Sequence, residues 1–113
     1  MNHEFKVRIS QEKVKEYAVI SGDHNPIHQD PSFAREEGFD GAIVHGMFVL
    51  SLMGEYFNCS NLFHLREKVV LSAKFKKPVY VGEEIRFFVE TKGKIVVKNS
   101  KDDICVETSW ANN

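Results

Sequence analysis

Asp23 and His28 stand five positions apart in the run Gly22-Asp23-His24-Asn25-Pro26-Ile27-His28. A carboxylate beside an imidazole can take a proton from one atom and deliver one to another near neutral pH. The segment that carries them is kinked. Gly22 can supply the positive φ that ends a helix, and Pro26 lacks the N–H that a new helix or an inner strand needs. Polar Asp23, His24, Asn25 and His28, entered from the apolar turn Tyr17-Ala18-Val19-Ile20, point to side chains aimed at a cavity. A plain surface loop needs no such density of titratable groups, although Asp and Asn also build Asx turns. Asp23, His24, His28 and Asp30 can be written as a metal-ligand cluster. However, the i, i+4 spacing of the two histidines joins their rings only on a helix, which Pro26 opposes, so no metal site is expected.

The elements around this segment follow from periodicity and punctuation. Phe5 to Ile9 alternates apolar and basic residues, the pattern of a half-buried strand. Ser10 is a good N-cap for a helix whose Val14, Tyr17, Ala18 and Ser21 share one face before Gly22. Asp30-Pro31 starts a second, short helix that Gly38 is placed to close. Gly46 to Phe57 is apolar nearly all round, which predicts a central helix buried on every side. Four strands are then expected, Val69–Val81, Glu84–Thr91, Ile95–Asn99 and Ile104–Trp110. They are separated by Pro78, Gly82, Gly93 and the turn Lys101-Asp102-Asp103, as in antiparallel hairpins. The pattern predicts an α+β fold, a curved antiparallel sheet of about five strands wrapped around a buried helix.

A chain of 113 residues, 42% hydrophobic and 27% charged, is expected to form a single domain over residues 1–113. A net charge of −1 gives no ground for a nucleic-acid or membrane partner. No stretch approaches the ~20 apolar residues of a membrane span. Charged Glu4, Lys6, Arg8, Glu12, Lys13, Lys15 and Glu16 do not read as a secretory signal. Cys59 and Cys105 stand apart with no Cys-x-x-Cys grouping, so free thiols in a reducing, cytoplasmic setting are expected. Neither reads as a nucleophile.

Tyr17, the block Gly22-Asp23-x-Asn25-Pro26-Ile27-His28 and Ala34 resemble the signature of the MaoC-like (R)-specific enoyl-CoA hydratases, the hydratase 2 branch of the hot-dog superfamily. His45-Gly46-Met47 resembles the start of that family's central helix, and Phe75 to Glu83 resembles its long strand and following turn. The resemblance implies a hot-dog domain that interconverts trans-2-enoyl and (R)-3-hydroxyacyl thioesters of coenzyme A or acyl carrier protein. No cofactor beyond that carrier is implied. It also implies a homodimer with sheets joined edge to edge. Asp23 and His28 would hold the catalytic water, and the order in which they act as base is left open. Gly46 would present a helix N-terminal amide to the thioester oxygen, where enolate charge develops.

Asn25, His45, Phe48 and Ser51 are the candidate substrate-binding residues. Each of the polar three has a structural alternative: Asn25 orienting the loop, His45 capping the helix, Ser51 bonding back to a carbonyl. Lys74, Lys76 and Lys77 are either a solvated face or phosphate contacts. The chain is short for the family, with only Cys59 to Lys68 between central helix and long strand. Two rival readings remain. A thioesterase on the same fold would need a carboxylate on the central helix, where Glu55 is the only acid. A non-catalytic thioester-binding or assembly subunit would have no evident need for both Asp23 and His28.

Overall fold

The computed structural model describes residues 4–59, 69–91 and 94–112. Strand β1 (Glu4–Arg8) leads into helix α1 (Gln11–Ser21), whose N-cap Ser10 accepts a hydrogen bond from the Lys13 amide. Gly22 closes α1 at φ 78° and donates its amide to the Ala18 carbonyl. Helix α2 (Pro31–Glu36) starts as the Asp-Pro pair predicts: the Asp30 carboxylate accepts from the amides of Ser32 and Phe33. Helix α3 (Gly46–Cys59) is followed by strands β2 (Val69–Phe75), β3 (Glu84–Thr91), β4 (Lys94–Lys98) and β5 (Ile104–Asn112).

All strands pair antiparallel in one sheet of order β1-β3-β4-β5-β2, so β1 and β2 are its edges. The period of two along each strand divides the sheet into faces. Phe5↔Phe87, Val7↔Ile85 and Val97↔Val106 are cross-strand pairs on the inner face. There Ile85, Phe87, Ile95, Val97 and Val106 pack with Val49 and Met53 of α3 and Val14 of α1 in one core. Each such side chain contributes about 1.5–3 kcal/mol by leaving water.

Three expectations change. The long strand foreseen as Val69–Val81 ends at Phe75. The amides of Lys76 and Lys77 both turn to the Cys105 carbonyl, at 2.8 and 3.3 Å, and Pro78 has no amide to continue the ladder. Beyond it, Val79 to Val81 instead clasps the segment before α3, through Val44 N–H to Val79 O (2.7 Å) and Val81 N–H to Ala42 O (3.0 Å).

The second change concerns α3, which is buried on one side only. Val49 and Met53 are in the core, whereas Met47 is 63% exposed and Ser51, Gly54 and Glu55 face outward. One sheet covers one side of a helix, and nothing in the described chain lies over the other. Third, Pro26 does not prevent a helical turn. Pro26–His28 is a 3-10 turn with proline at its first position, where a missing N–H leaves no bond unmade. The connection Cys59 to Lys68, apart from Cys59 itself, and the Gly93 turn lie outside the described residues.

Candidate active site

The segment between α1 and α2 is a chain of short side-chain-to-backbone bonds. The Ser21 hydroxyl accepts from the Asp23 amide (3.2 Å), Asp23 Oδ1 from the Asn25 amide (3.1 Å), and Asn25 Oδ1 from the Ile27 amide (3.2 Å). This alternation explains why a short polar residue recurs at every second position. Asn25 therefore orients the loop and caps the 3-10 turn, and its carboxamide oxygen is engaged there.

That turn carries His28 inward, where it is 7% exposed. Its Nδ1 lies 2.8 Å from the Ile43 carbonyl, and Ile43 returns its own amide to Ile27 O at 3.0 Å. Gln11 Nε2 also donates to the His28 carbonyl at 2.9 Å. A carbonyl only accepts, so Nδ1 carries the hydrogen and Nε2 of the neutral ring holds a lone pair. This Nε2 faces Asp23 Oδ2 at 3.7 Å. The separation is too long for a hydrogen bond, but a water about 2.8 Å from each atom could donate to both. Each group thus commits one atom to the main chain and presents the other to the cleft.

The cleft, about 220 Å³, is lined by Tyr17, Ser21, Asp23, His28, His45, Gly46 and Met47. His45 is 3% exposed, and its carbonyl accepts the Phe48 and Val49 amides at the start of α3. Its side chain makes no capping bond to those amides. Nε2 instead donates to the Asp23 carbonyl at 3.0 Å, and the ring stacks on His28 with centroids 3.7 Å apart. Gly46 is the first residue of α3, so its amide has no intrahelical acceptor. A Cβ added there would come within 2.8 Å of the Phe75 ring, which marks Gly46 as a place of close approach. On its other side opens a second, mostly apolar cavity of about 330 Å³, lined by residues including Ile43, Val44, Phe75, Pro78 and Val79.

Two other candidates take the structural alternative. Ser51 donates to the Phe48 carbonyl at 2.8 Å on the exposed face of α3. Phe48 stacks on Tyr17 at 4.7 Å and packs against the core, and it lines neither cavity. Glu55 lines neither of them either. Lys76 and Lys77 pair with Glu107 (3.2 Å) and Asp103 (3.3 Å) at the rim of the apolar cavity. The buried Cys105 thiol is pushed up to about 11, by burial first and then by Glu83 and Asp103, and stays protonated.

Sequence reading missed two participants, Tyr17 as a wall of the cleft and the contact between His45 and Asp23. Tyr17 was legible as part of the motif; the contact joins residues 22 positions apart and left no local signal. Asp23, His28 and His45 also form the metal-type cluster that exists in space, in place of the His24 pairing. Its donor types suit a divalent ion, but the imidazole planes are only 23° from parallel. No point within the ~2 Å of a metal–nitrogen bond lies near both ring planes, so the rings are poorly placed to share an ion.

Comparison with known proteins defines the class. The model of the MaoC like domain matches residues 1–111, and the chain belongs to that family. It is 41% identical over 97 residues to the mitochondrial 3-hydroxyacyl-[acyl-carrier-protein] dehydratase of Arabidopsis thaliana, covering 80% of this chain and 57% of that protein. It is 37% identical over 87 residues to the (R)-specific enoyl-CoA hydratase of Aeromonas caviae, covering 74% and 62% respectively. The chain thus spans under two thirds of the length of these relatives. Among solved structures, the (R)-hydratase from A. caviae involved in PHA biosynthesis superposes with a TM-score of 0.79 at 26% identity, over 97% of this chain and 92% of that one. The fold is the hot-dog fold of these hydratases. No helix among the described residues is long and apolar enough to cross a membrane.

The environment of His28 fixes a titration. Burial holds its imidazole below the ordinary 6.5; the Ile43 carbonyl pulls it up, His45 pushes it down and Asp23 pulls it up. Burial prevails. A group depressed on folding contributes stability that is complete above the unfolded value and is lost as pH falls through the folded one. NMR titration is expected to place His28 below 6.5, and global stability should fall as pH drops from about 7 to 5. The His28→Asn variant should show a flatter pH dependence over that window.

Proposed function

We propose that this chain, acting as a single MaoC-like domain, catalyses the reversible hydration of trans-2-enoyl thioesters of coenzyme A or acyl carrier protein to (R)-3-hydroxyacyl thioesters. The observation that carries this reading is the pair of uncommitted acceptors, Asp23 Oδ2 and His28 Nε2, 3.7 Å apart over a cleft that ends at the Gly46 amide. Water seated between them is oriented to attack C3 with its oxygen. One member of the pair takes a proton from the attacking water, and a proton from the pair is delivered to C2. Charge on the thioester oxygen meets the Gly46 N–H at the positive end of α3. One water accounts for every atom added, its hydroxyl at C3 and a hydrogen at C2, with the proton given to C2 balancing the one taken from the water, so the proposed reaction uses no cofactor. Removing water by the reverse path needs the same groups.

The thioesterase alternative is weakened because Glu55, its required acid, is exposed and lines neither cavity. The binding-subunit alternative leaves the fixed His28 tautomer without a purpose. In enoyl-CoA hydration assays, Asp23→Asn and His28→Ala should each lower kcat by about 10²–10⁴-fold. The double variant should lose far less than the product of the two, since both hold one water. Gly46→Ala keeps the amide but displaces Phe75 into the approach; turnover should fall while stability barely changes, because Phe75 is 54% exposed and free to move. Wild-type turnover in folded Asp23→Asn or His28→Ala protein contradicts the assignment.

The working unit we assign is a cytoplasmic homodimer. The outer side of α3 is uncovered, Val19, Ile20, Met47 and Phe75 are exposed apolar residues, and β1 and β2 each have a free edge in the described chain. Pairing two copies would cover edge and helix together. Light scattering should give about twice the 13.0 kDa chain mass for active protein. Full activity in a species of single-chain mass contradicts the dimer.

A further inference from the structure

Both nitrogens of His45 can be assigned. Nε2 faces a carbonyl at 3.0 Å and so carries the hydrogen, while the buried Nδ1 has no hydrogen-bond partner among the described residues. The ring lies against the His28 ring, with centroids 3.7 Å apart. The assigned donor of His45 is therefore directed at the main chain of Asp23. The other hydrogen bonds described for Asp23 run to Ser21 and Asn25, within the same loop. Bonds of that kind travel with the loop when it moves. The His45 bond reaches across 22 positions to the start of the core helix.

We propose that His45 is the positioning residue of the Asp23–His28 pair: one side chain anchors the main chain of the carboxylate and braces the ring face of the base. The inference rests on the hydration reading of the site. It replaces the substrate-binding or capping role expected for His45 with an indirect one. Tyr17 of α1 packs on the same ring at 4.9 Å and adds to the brace. The titratable groups that line the cleft around His45 are Tyr17, Asp23 and His28; its other lining residues, Ser21, Gly46 and Met47, are neutral. Losing the anchor leaves the core intact but frees the carboxylate relative to Nε2, and misplacement by about 1 Å costs on the order of 10²-fold in rate.

Two variants and one wild-type measurement test this. His45→Phe keeps an aromatic face against His28 and deletes the donor; His45→Gln keeps a donor and deletes the ring. In enoyl-CoA hydration, His45→Phe should lower kcat by about 10–100-fold with KM changed less than about threefold, and His45→Gln should recover part of that loss. The acid limb of kcat/KM should move to higher pH in both, because the neighbouring imidazole no longer disfavours His28 protonation. A role confined to packing would reduce folded yield and leave kcat per folded molecule and the acid limb unchanged, which overturns the proposal. Imidazole ¹⁵N NMR of the wild-type protein needs no variant: near neutral pH His45 should carry its hydrogen on Nε2. A Nδ1–H tautomer overturns it too. Failure of the wild-type protein to hydrate any enoyl thioester would instead refute the functional reading, leaving the NMR result to decide the placement of His45.

Discussion

The hydrogen bond from His28 Nδ1 to the Ile43 carbonyl, 2.8 Å long and nearly out of reach of water, is the constraint on which the site depends. It selects one tautomer and so decides that a lone pair, not a hydrogen, faces Asp23. It also joins the 3-10 turn to the segment that leads into α3, and that segment is clasped in turn by Val79 and Val81. Burial of the ring raises the electrostatic cost of protonating it, which favours the neutral imidazole near neutral pH. The contact thus fixes the geometry, while burial, against the upward pull of the Ile43 carbonyl, sets the protonation state.

The loop before His28 solves a different problem. Asp23 must present one carboxylate oxygen to the cleft while lying on an exposed segment. Its second oxygen is used in an Asx turn, and its carbonyl is tied to His45 at the start of α3. The motif thus combines residues that shape the loop with residues left free to act, and Asp23 is both. The two roles are complementary, because a carboxylate held by one oxygen has fewer orientations for the other.

Much of this was legible from sequence, and the reasons are local. Ser10, Gly22 and the Asp30-Pro31 pair are punctuation whose physics acts within a few residues, and each does what its type predicts. The hairpins β3–β4 and β4–β5 follow from alternation and short turns. Legibility fails where an outcome depends on contacts distant in sequence. The strand after α3 ends early because the Cys105 carbonyl captures two amides, and the stacking of His45 on His28 needs both loops in place. The uniformly apolar face pattern of α3 predicted burial all round, yet one sheet covers one side.

The most direct test of the account is the fate of a simple enoyl thioester in heavy water. Purified protein mixed with crotonyl-CoA in D₂O should abolish the enoyl absorbance down to its equilibrium level. The product should be (R)-3-hydroxybutyryl-CoA carrying a single deuterium at C2, delivered by the acid/base pair. Unchanged absorbance, release of free thiol, or the (S) product would contradict it.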